Sequence, residues 1–375
     1  MRILHIISGL GDGGAENSLY KVCKNDLKNQ HMVISITSSG KYYSILKDMG
    51  IEVYCLNLKY YSFIQFFILI KLIRSLKPDI LQTWLIMGDF LGGIAGRLAG
   101  VSNIVWNIHF SYLKKGLTSF RNLIIIKILS ILSYHVPNSI IVISNAGITN
   151  CINLGYCKKK LILIPNGYEL SDFNYDKLKK NRFRKKLKIN NNIPILGMVS
   201  RYDPAKDHIT LIRALSILHS KKVSFICVMV GQNIDYNNKV LTDVIHKLDL
   251  NKKIILLGVR SDIPEVMNGI DIHILSSKSE AFPNVVAEAM ACKTPCICTN
   301  VGDCSFIIGN TGWIVPPKKS KELAKGIEIA LSELGSQKWD ERINHARLRI
   351  KEKFDINQMI ESLNNLWIKI LKNEI

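Results

Sequence analysis

The sequence predicts an α/β protein built from two doubly wound domains, each with a parallel sheet covered by helices. Three observations lead to this prediction. The chain has 375 residues, more than a typical single core accommodates. Strand-like apolar runs alternate with helix-like periodic segments over residues 1–165. The same alternation starts again near Pro194, after a segment rich in lysine and arginine.

The first domain is expected over residues 1–168. Strands are predicted at 2–7, 31–37, 51–57, 79–83, 103–108, 139–143 and 161–165, and helices near 15–28, 62–76, 88–99, 119–135 and 145–154. Because a helical segment separates most successive strands, we expect a parallel sheet with helices on both faces.

A basic linker is expected over 169–192, and a second domain over 193–352. Between 177 and 188 the linker carries many cations and no acid, which is typical of a solvated segment. In the second domain, strands are predicted at 194–200, 223–230, 253–257 and 270–275, and helices near 319–333 and 338–351. A last helix is expected within 355–372.

The charge of the chain favours anionic partners. Its formal net charge is +20, with 47% hydrophobic and 21% charged residues. Such an excess is compatible with nucleotide diphosphates, lipid phosphates or an anionic membrane surface. Nucleic acid is not expected as a partner, because the basic residues are scattered and not interleaved with aromatic residues on one face.

The nine cysteines are expected to be free thiols. Cys292, Cys296, Cys298 and Cys304 are close in sequence, so a zinc site is an alternative. However, no C-x-x-C pair occurs, and histidine or cysteine pairs at the usual spacing are missing. Buried thiols in a reducing cytoplasm are the favoured interpretation.

No segment of the sequence is expected to span a membrane or to direct secretion. The chain begins directly with a strand pattern, and its longest apolar runs, 63–70 and 123–132, are shorter than the ~20 residues that cross a bilayer. Segments 59–71 and 114–129 combine apolar faces with lysine and arginine. They suit either an interfacial contact with an anionic bilayer or ordinary sheet-covering helices. We therefore expect a cytoplasmic protein with peripheral contact on the inner face of the plasma membrane.

A glycine-rich loop follows the first strand. Gly9, Gly11 and Gly14 match the dinucleotide-binding pattern G-x-G-x-x-G. That pattern also needs an acid at the end of the second strand. Here the second strand ends Ile36-Thr37-Ser38-Ser39, so an NAD-dependent oxidoreductase remains only an alternative.

The most informative stretch of the sequence is 276–303. The predicted strand ends in serines and leads through Glu280-Ala281-Phe282-Pro283-Asn284 into a helix, with Pro283 expected in its first turn. A helix N-terminus at a strand end presents unpaired backbone N–H groups, which suit phosphate. Glu280 and Glu288 frame this site, and carboxylates beside phosphate are suited to accept hydrogen bonds from sugar hydroxyls.

This stretch resembles the signature of the retaining glycosyltransferases of family 4, which have the GT-B fold. The family has two glutamates separated by seven residues, with Phe-Pro-Asn between them and Ala-Met-Ala after the second. Glu280, Phe282-Pro283-Asn284 and Glu288 match it, while Ala281 stands where the family usually has glycine. The resemblance implies that Glu280 faces the donor sugar, Glu288 binds the ribose hydroxyls, and the amides of Ala281 to Asn284 face the diphosphate and sugar.

Other positions match the family as well. The resemblance implies a cation pair at the donor diphosphate, Arg201 and Lys206, and a base-proximal Arg260. It further implies that Gly13 and Gly14 lie near the donor diphosphate and the acceptor. His109, which ends a predicted strand, would contact the donor sugar. In GT-B enzymes the last helix, here within 353–375, returns to the first domain.

The implied activity is the transfer of a sugar, with retained anomeric configuration, from a nucleotide diphosphate sugar such as a UDP-sugar. The implied acceptor is a glycan or a polyprenyl-diphosphate-linked glycan in bacterial surface polysaccharide synthesis. No Asp-x-Asp sequence occurs, so neither a metal nor another cofactor is expected, and Arg201 and Lys206 would neutralise the leaving group. A non-catalytic protein that binds nucleotide sugars is the alternative from another class.

Overall fold

The computed structural model describes residues 1–37, 39–57, 63–109 and 120–374. These residues form two units. Unit 1 comprises Met1–Gly167 together with Ile356–Ile375, and unit 2 comprises Tyr168–Asp355.

Unit 1 contains a parallel sheet. Its strands are β1 Arg2–Ile7, β2 Gln30–Ser35, β3 Glu52–Cys55, β4 Ile80–Trp84, β5 Ile104–Ile108, β6 Ser139–Val142 and β7 Leu161–Leu163. Their order across the sheet is β3-β2-β1-β4-β5-β6-β7. Every described pairing is parallel, with register partners such as Ile3 and Ile80 for β1 and β4.

Helices cover both faces of this sheet. They are α1 Gly14–Asn25, α2 Gly40–Asp48, α3 Phe63–Leu76, α4 Leu85–Met87, α5 Gly93–Leu98, α6 Phe120–Leu132 and α7 Asn145–Asn153. A π-helix, Gly88–Gly92, joins α4 to α5, and a 3-10 turn, Lys158–Lys160, precedes β7. One apolar core lies between the sheet and α3 and α6, and the other contains residues of α1 and α2.

Unit 2 repeats this architecture. It contains α8 Lys177–Lys186, β8 Ile195–Val199, α9 His208–Ser220, β9 Ile226–Val230, α10 Lys239–Lys247, β10 Ile254–Leu256, α11 Ile263–Gly269, β11 Ile272–Leu275, α12 Asn284–Ala291, β12 Cys296–Thr299, α13 Cys304–Ile308, β13 Trp313–Val315, α14 Ser320–Glu333 and α15 Gln337–Lys353. The strand order is β10-β9-β8-β11-β12-β13, with all described pairings parallel.

The predicted fold class, two doubly wound parallel α/β units, is confirmed. The last helix of the described chain, α16 Ile356–Leu371, belongs to unit 1. Its buried face includes Leu363 and Trp367, and the Trp367 indole donates a hydrogen bond to Gln82 Oε1 on β4 at 3.0 Å.

The basic segment 169–192 lies within unit 2, where the sequence predicted a linker. Helix α8 packs against α11, and Phe183 lies so close to Gly269 that a Cβ there would come within 2.1 Å of its ring. Arg184 is buried and forms an ion pair with the buried Asp271 at 3.2 Å. Helix α8 therefore packs on unit 2 through one buried face, although lysines and arginines occupy most of its positions.

Each sheet has one point where the chain reverses the direction in which it adds strands. It lies between β1 and β4 in unit 1 and between β8 and β11 in unit 2. Loops that leave adjacent strands there diverge, and they open a crevice at the carboxyl ends of the strands where ligands bind in such sheets. The loops after β8 and β11 carry Arg201, Lys206 and Glu280.

Candidate active site

The loop after β8 is bonded to the loop that follows the adjacent strand, β11. Ser276, which follows β11, donates from Oγ to the carbonyls of Lys206 and Asp207 at 3.1 and 3.0 Å. Asp207 has a left-handed backbone, φ 52°, and its carboxylate pairs with Lys278 Nζ at 3.0 Å. These contacts fix the backbone from which the Lys206 side chain projects.

Lys206 and Glu280 meet at this point. Lys206 Nζ lies 2.6 Å from Glu280 Oε1, and the two side chains are 21% and 10% exposed. Ser277 Oγ donates to the same carboxylate oxygen at 2.6 Å. A charge-assisted bond between partly buried groups is short and strong. The carboxylate is thus oriented and its charge is largely neutralised.

Gly302 supports the backbone of the Glu280 loop. It has φ 53°, and a Cβ there would lie 2.3 Å from the Glu280 carbonyl oxygen. The neighbouring Asp303 N–H donates to the Ala281 carbonyl at 3.0 Å. Only glycine combines this left-handed conformation with so close an approach, and the loop position therefore depends on it.

The side chains after Glu280 point into unit 2. Phe282 is buried between Tyr168 and Phe354, with ring centroids 6.5 and 5.6 Å away. The Tyr168 hydroxyl donates to Asn284 Oδ1 at 2.8 Å. Any donor contact made at Phe282 would therefore come from its backbone. Pro283 immediately precedes α12, whereas the sequence predicted it in the first turn of the helix.

Glu288 lies one turn after Asn284 on α12. Glu288 is half-buried. The burial of Tyr168, together with the nearby charge of Glu288, raises the pKa of Tyr168 well above its ordinary value. Glu288 is thus the fifth of the eight residues of α12 and is partly accessible to a bound ligand.

Arg260 is engaged within its own loop. Its guanidinium forms a two-point ion pair with Asp262, with Nε 2.7 Å from Oδ1 and Nη2 on Oδ2. This contact holds the pKa of Asp262 below its ordinary value. The partner of Arg260 in this structure is thus a carboxylate two residues away.

In unit 1, the glycine-rich loop leads directly from β1 into α1. Gly13 precedes the helix and Gly14 is its first residue. The loop is fixed by the Tyr42 N–H, which donates to the Leu10 carbonyl at 3.0 Å. Gly13 and Gly14 therefore lie at the same carboxyl edge of the sheet as the end of β4.

His109 immediately follows β5. Its ring lies 5.4 Å from that of Trp84, and its Nε2 is buried with no hydrogen-bond partner among the described residues. Burial lowers the pKa of His109 to about 3, so the imidazole is neutral at physiological pH. It lines a cavity of about 250 Å³ together with Ser8, Leu85, Ile86, Met87 and Asn122.

The described residues contain one grouping of possible metal ligands, His5, Cys23 and His31, which is buried in unit 1. The Trp84 indole donates to His5 Nδ1 at 3.2 Å, so His5 Nε2 carries the proton. That nitrogen then donates to His31 Nδ1 at 2.9 Å, and His31 Nε2 lies 3.3 Å from Asp26. The ring nitrogens thus form a proton-donating chain that leaves no free lone pair for a metal.

The prediction of buried thiols is confirmed for the cluster considered as a zinc site. Cys292, Cys296, Cys298 and Cys304 are all buried and free. Burial raises the pKa of Cys292 to about 12 and that of Cys296 further, as expected for inert thiols in an apolar environment.

Two family models match consecutive parts of the chain. The model described as Glycosyltransferase Family 4 matches residues 12–172, and the model described as Glycosyl transferases group 1 matches residues 179–347. The chain is a family 4 glycosyltransferase. The resemblance drawn from Glu280 to Ala291 is confirmed, and the alternatives of an oxidoreductase and of a non-catalytic protein are set aside.

Two curated relatives match most of this glycosyltransferase. One is an UDP-Gal:alpha-D-GlcNAc-diphosphoundecaprenol alpha-1,3-galactosyltransferase of Escherichia coli, 25% identical, with 82% of this chain and 79% of the relative covered. The other is an N,N'-diacetylbacillosaminyl-diphospho-undecaprenol alpha-1,3-N-acetylgalactosaminyltransferase of Campylobacter jejuni, 25% identical, with 91% and 92% covered.

The fold of this glycosyltransferase is also that of a solved structure, Anabaena Alr3699/HepE in complex with UDP. The TM-score is 0.86 at 23% identity, with 98% of this chain and 99% of the other covered. The predicted GT-B fold is thereby confirmed.

The structure brings Lys206 and Glu280 of this glycosyltransferase together. Arg201 is exposed on the same loop and lies 3.5 Å from Asp203, while Arg260 pairs with Asp262. Sequence reasoning missed Ser277 and Asp262. Ser277 stands three residues before Glu280 in a serine-rich loop, which was a usable signal, whereas the Asp262 contact depends on a backbone turn.

Proposed function

We propose that this glycosyltransferase transfers a hexose or N-acetylhexosamine from a UDP-sugar, with retained anomeric configuration, to a polyprenyl-diphosphate-linked glycan at a membrane surface. The observation that carries the proposal is the contact between Lys206 Nζ and Glu280 Oε1 at the crevice between β8 and β11. A cation that can bind phosphate and a carboxylate that can accept hydrogen bonds from sugar hydroxyls lie side by side there. A donor in which a phosphate is linked to a sugar needs both.

The leaving diphosphate is the group with developing negative charge. Lys206 and Arg201, on the loop after β8, would neutralise it together with backbone amides at the start of α12. A cation aimed at the leaving group in this way supplies about 3 kcal/mol of transition-state stabilisation. The roles of Arg201 and Lys206 in catalysis are part of this proposal.

Retention without a covalent intermediate is supported by the state of Glu280. Its carboxylate is bound by Lys206 Nζ and by the Ser277 hydroxyl, each at 2.6 Å. An ion-paired, hydrogen-bonded carboxylate is a weak nucleophile, because its charge is already satisfied. Glu280 would instead orient the donor sugar through its hydroxyls, and the departing phosphate would accept the proton of the attacking acceptor hydroxyl on the same face.

The donor and acceptor classes are supported by the two curated relatives. The Escherichia coli relative is named for UDP-Gal, and both relatives are named for sugars linked to diphosphoundecaprenol. In the proposed complex, Glu288 binds the ribose hydroxyls and Arg260 lies near the base. Gly13 and Gly14 allow close approach of the ligand, and His109 contacts the donor sugar.

Contact with an anionic bilayer is supported by two exposed apolar faces on unit 1, which we call the outer faces of α3 and α6. They consist of Phe63, Ile64, Phe67 and Ile68 on α3, and Phe120, Ile124, Ile128 and Ile131 on α6. Lys71 and Lys127 are exposed on the same two helices. No described helix is both long and apolar enough to cross a membrane. The basic positions Lys114 and Lys115 and residues 59–62 lie outside the described residues.

The proposed function is tested by incubating the protein with bacterial membranes and individual radiolabelled nucleotide sugars. We expect one UDP-sugar to label a lipid-extractable product, and EDTA to leave the rate almost unchanged. Lys206→Ala should lower turnover by about two decades or more, because the leaving group loses its cation. Lys221→Ala, at an exposed cation that follows α9 and pairs with Glu328 at 2.7 Å, is the matched control and should retain full activity.

Two outcomes would contradict the proposal. Activity that disappears in EDTA and returns with Mg²⁺ or Mn²⁺ would exclude the metal-free mechanism. Labelling that stays entirely in water-soluble products would exclude a lipid-linked acceptor.

A further inference from the structure

A cavity of about 450 Å³ lies at the amino edge of the sheet in unit 2, and we call it the amino-edge cavity. Pro194, Asp271 and Thr294, which line it, stand just before β8, β11 and β12. Lys206 and Glu280 are on loops that leave the opposite, carboxyl edge of the same parallel sheet. The amino-edge cavity is therefore separate from the candidate active site, and its volume is typical of sites for small molecules.

The charged side chains of the amino-edge cavity are mainly basic. Four cations and two carboxylates line it, namely Lys177, Lys180, Arg184, Lys293, Asp271 and Asp340. The Asp271 carboxylate is buried and both of its oxygens are bound, Oδ1 by Lys180 Nζ at 2.7 Å and Oδ2 by Arg184 Nη1 at 3.2 Å. Its negative charge is thus already compensated, and Asp340, the other carboxylate, is exposed on α15.

Lys177 and Lys293 supply positive charge that no acid of the cavity compensates. In the part of the chain that the structure describes, neither of them forms an ion pair with a carboxylate. Lys293 Nζ lies 5.3 Å from the ring centroid of Tyr175, which also lines the cavity. An ammonium group has three N–H donors, so Lys180 can bind Asp271 and still donate to a ligand. Three ammonium groups are thus available to one anion.

The charge and the size of the cavity favour a phosphate ester as its ligand. With four cations and two carboxylates, the lining has an excess of two positive charges. A phosphate monoester carries a charge of about −1.5 to −2 at pH 7, which matches that excess. Asn181, Asn191 and Asn192 line the cavity as well and add amide N–H donors. The space beyond a single phosphate is bordered by the rings of Tyr175 and Trp339, which suit the organic part of the ligand.

We propose that the amino-edge cavity is a second anion site, which binds a phosphate ester outside the candidate active site. Lys177, Lys180 and Lys293 donate to the phosphate oxygens, and the buried pair of Arg184 with Asp271 forms the floor below them. Two sources present this chemistry, a soluble phosphate ester and a lipid headgroup. The site goes beyond the proposed sugar transfer and does not depend on it.

The test titrates inorganic pyrophosphate into the full-length protein by calorimetry, with saturating UDP present to occupy the proposed donor site. We expect one pyrophosphate to bind while UDP is bound, with an affinity that falls as salt rises, because salt screens the attraction between partly exposed charges. Lys206→Ala should leave this affinity unchanged, because Lys206 lies at the opposite edge of the sheet.

Lys177→Gln with Lys293→Gln should weaken the binding of pyrophosphate by at least about tenfold, because two charged donors are lost. Lys239→Gln with Lys318→Gln is the matched control and should keep the affinity. Lys239 is the first residue of α10, as Lys177 is of α8, and Lys318 has φ 62°, close to the φ of 60° at Lys293. Both control lysines are exposed in unit 2 outside the cavity.

Asp340→Asn changes the charge of the cavity in the opposite direction. Removing an exposed carboxylate from the lining should tighten the binding of pyrophosphate about two- to fivefold. Loss of folding cannot produce tighter binding, so this variant tests the site even if the double lysine variant is less stable.

Vesicles distinguish the two sources of the phosphate. The titration is repeated with vesicles of phosphatidic acid, and vesicles of phosphatidylcholine are the control. Loss of pyrophosphate binding with phosphatidic acid alone would identify a lipid headgroup as the ligand, and unchanged binding would identify a soluble phosphate ester. The proposal would be overturned if no pyrophosphate bound in the presence of UDP, or if the affinity depended on Lys206 and not on Lys177 and Lys293.

Discussion

The Lys206 ammonium has three N–H donors, so it can bind Glu280 and a diphosphate at the same time. In the structure its ammonium is bound to Glu280, with Ser277 as a second donor to the same carboxylate oxygen. A bound diphosphate would draw on the same cation. Lys206 would then lie between leaving group and carboxylate, so that the positions of the phosphate and of the sugar hydroxyls are coupled. In the proposed complex the two glutamates bind different parts of the donor, so the loss of each charge has a different expected consequence.

We expect Glu288→Gln to weaken binding of UDP itself. The ribose hydroxyls would lose a charged acceptor, at a cost of about 1.5–3 kcal/mol, or roughly 10- to 150-fold in Kd. Glu280→Gln should leave UDP affinity within about twofold and lower the rate of transfer, because in the proposed complex Glu280 contacts the donor sugar, which UDP lacks. Titration calorimetry and steady-state rates distinguish the two effects.

Glu322→Gln, at an exposed glutamate on α14, is the control for this pair and should change neither quantity. If Glu280→Gln weakened UDP while Glu288→Gln affected only transfer, the two roles would have to be exchanged.

At the scale of elements, α6 has one buried face and one exposed apolar face. Ile125, Ile126 and Leu129 pack on the sheet, and Ile124, Ile128 and Ile131 face outward, with Ile131 61% exposed. The sheet-covering alternative is therefore confirmed for the buried face, and contact of the exposed face with a bilayer remains a proposal. An outward apolar stripe beside Arg121 and Lys127 is typical of an interfacial helix.

Arg121→Gln with Lys127→Gln should weaken binding to anionic vesicles. Each basic residue near such a surface contributes about 1 kcal/mol, so the loss should be roughly 30-fold. Binding should also weaken with salt, because the screening length falls to about 3 Å at 1 M. Vesicle sedimentation measures the binding, and UDP affinity should be unchanged.

The serine variant of Ile124, Ile128 and Ile131 should show a similar loss that does not depend on salt. Serine at Val240 and Ile329, two exposed apolar residues of unit 2, is the matched control. If binding of the wild-type protein to vesicles did not depend on lipid charge, α6 would serve only to cover the sheet.

Most elements were predictable because α/β alternation is a local property. Strand β11 and helix α14, for example, follow directly from apolar runs and helical periodicity. The packed face of α8 was not predictable, because Arg184 gains its ion pair from Asp271, 87 residues away. The π-helix at Gly88–Gly92 and the left-handed Leu85 likewise depend on tertiary packing and leave no local pattern.

The site was predictable to a similar degree. The motif located Glu280 because its residues are contiguous, and the contact with Lys206 joins loops after two adjacent strands. The inward direction of Phe282 was missed, because it is determined by Tyr168 and Phe354 at the two ends of unit 2.

At the scale of the whole molecule, unit 1 depends on α16. Trp367 is fully buried and bonds Gln82, and Asn364 accepts a hydrogen bond from Asn29 at 2.7 Å. Trp367→Ala should destabilise unit 1 by about 3–5 kcal/mol, the usual loss for a buried tryptophan. Urea unfolding followed by circular dichroism measures it.

Leu371→Ala, at a residue 37% exposed on the same helix, should shift the urea midpoint far less. UDP affinity should survive both substitutions, because the side chains proposed to bind the nucleotide lie in unit 2. An unchanged unfolding midpoint in Trp367→Ala would mean that α16 is dispensable for unit 1.

The return of α16 has a consequence for synthesis on the ribosome. Tyr168 and Asp355, at the two ends of unit 2, are bridged in parallel, and the Tyr168 N–H donates to the Phe354 carbonyl at 2.8 Å. Unit 2 is thus a closed insertion that can fold as it emerges. Unit 1 begins first but must wait with an uncovered apolar face until α16 appears, for about 10–40 s at 5–20 residues/s. The part of the chain translated earliest is therefore the part most in need of a chaperone.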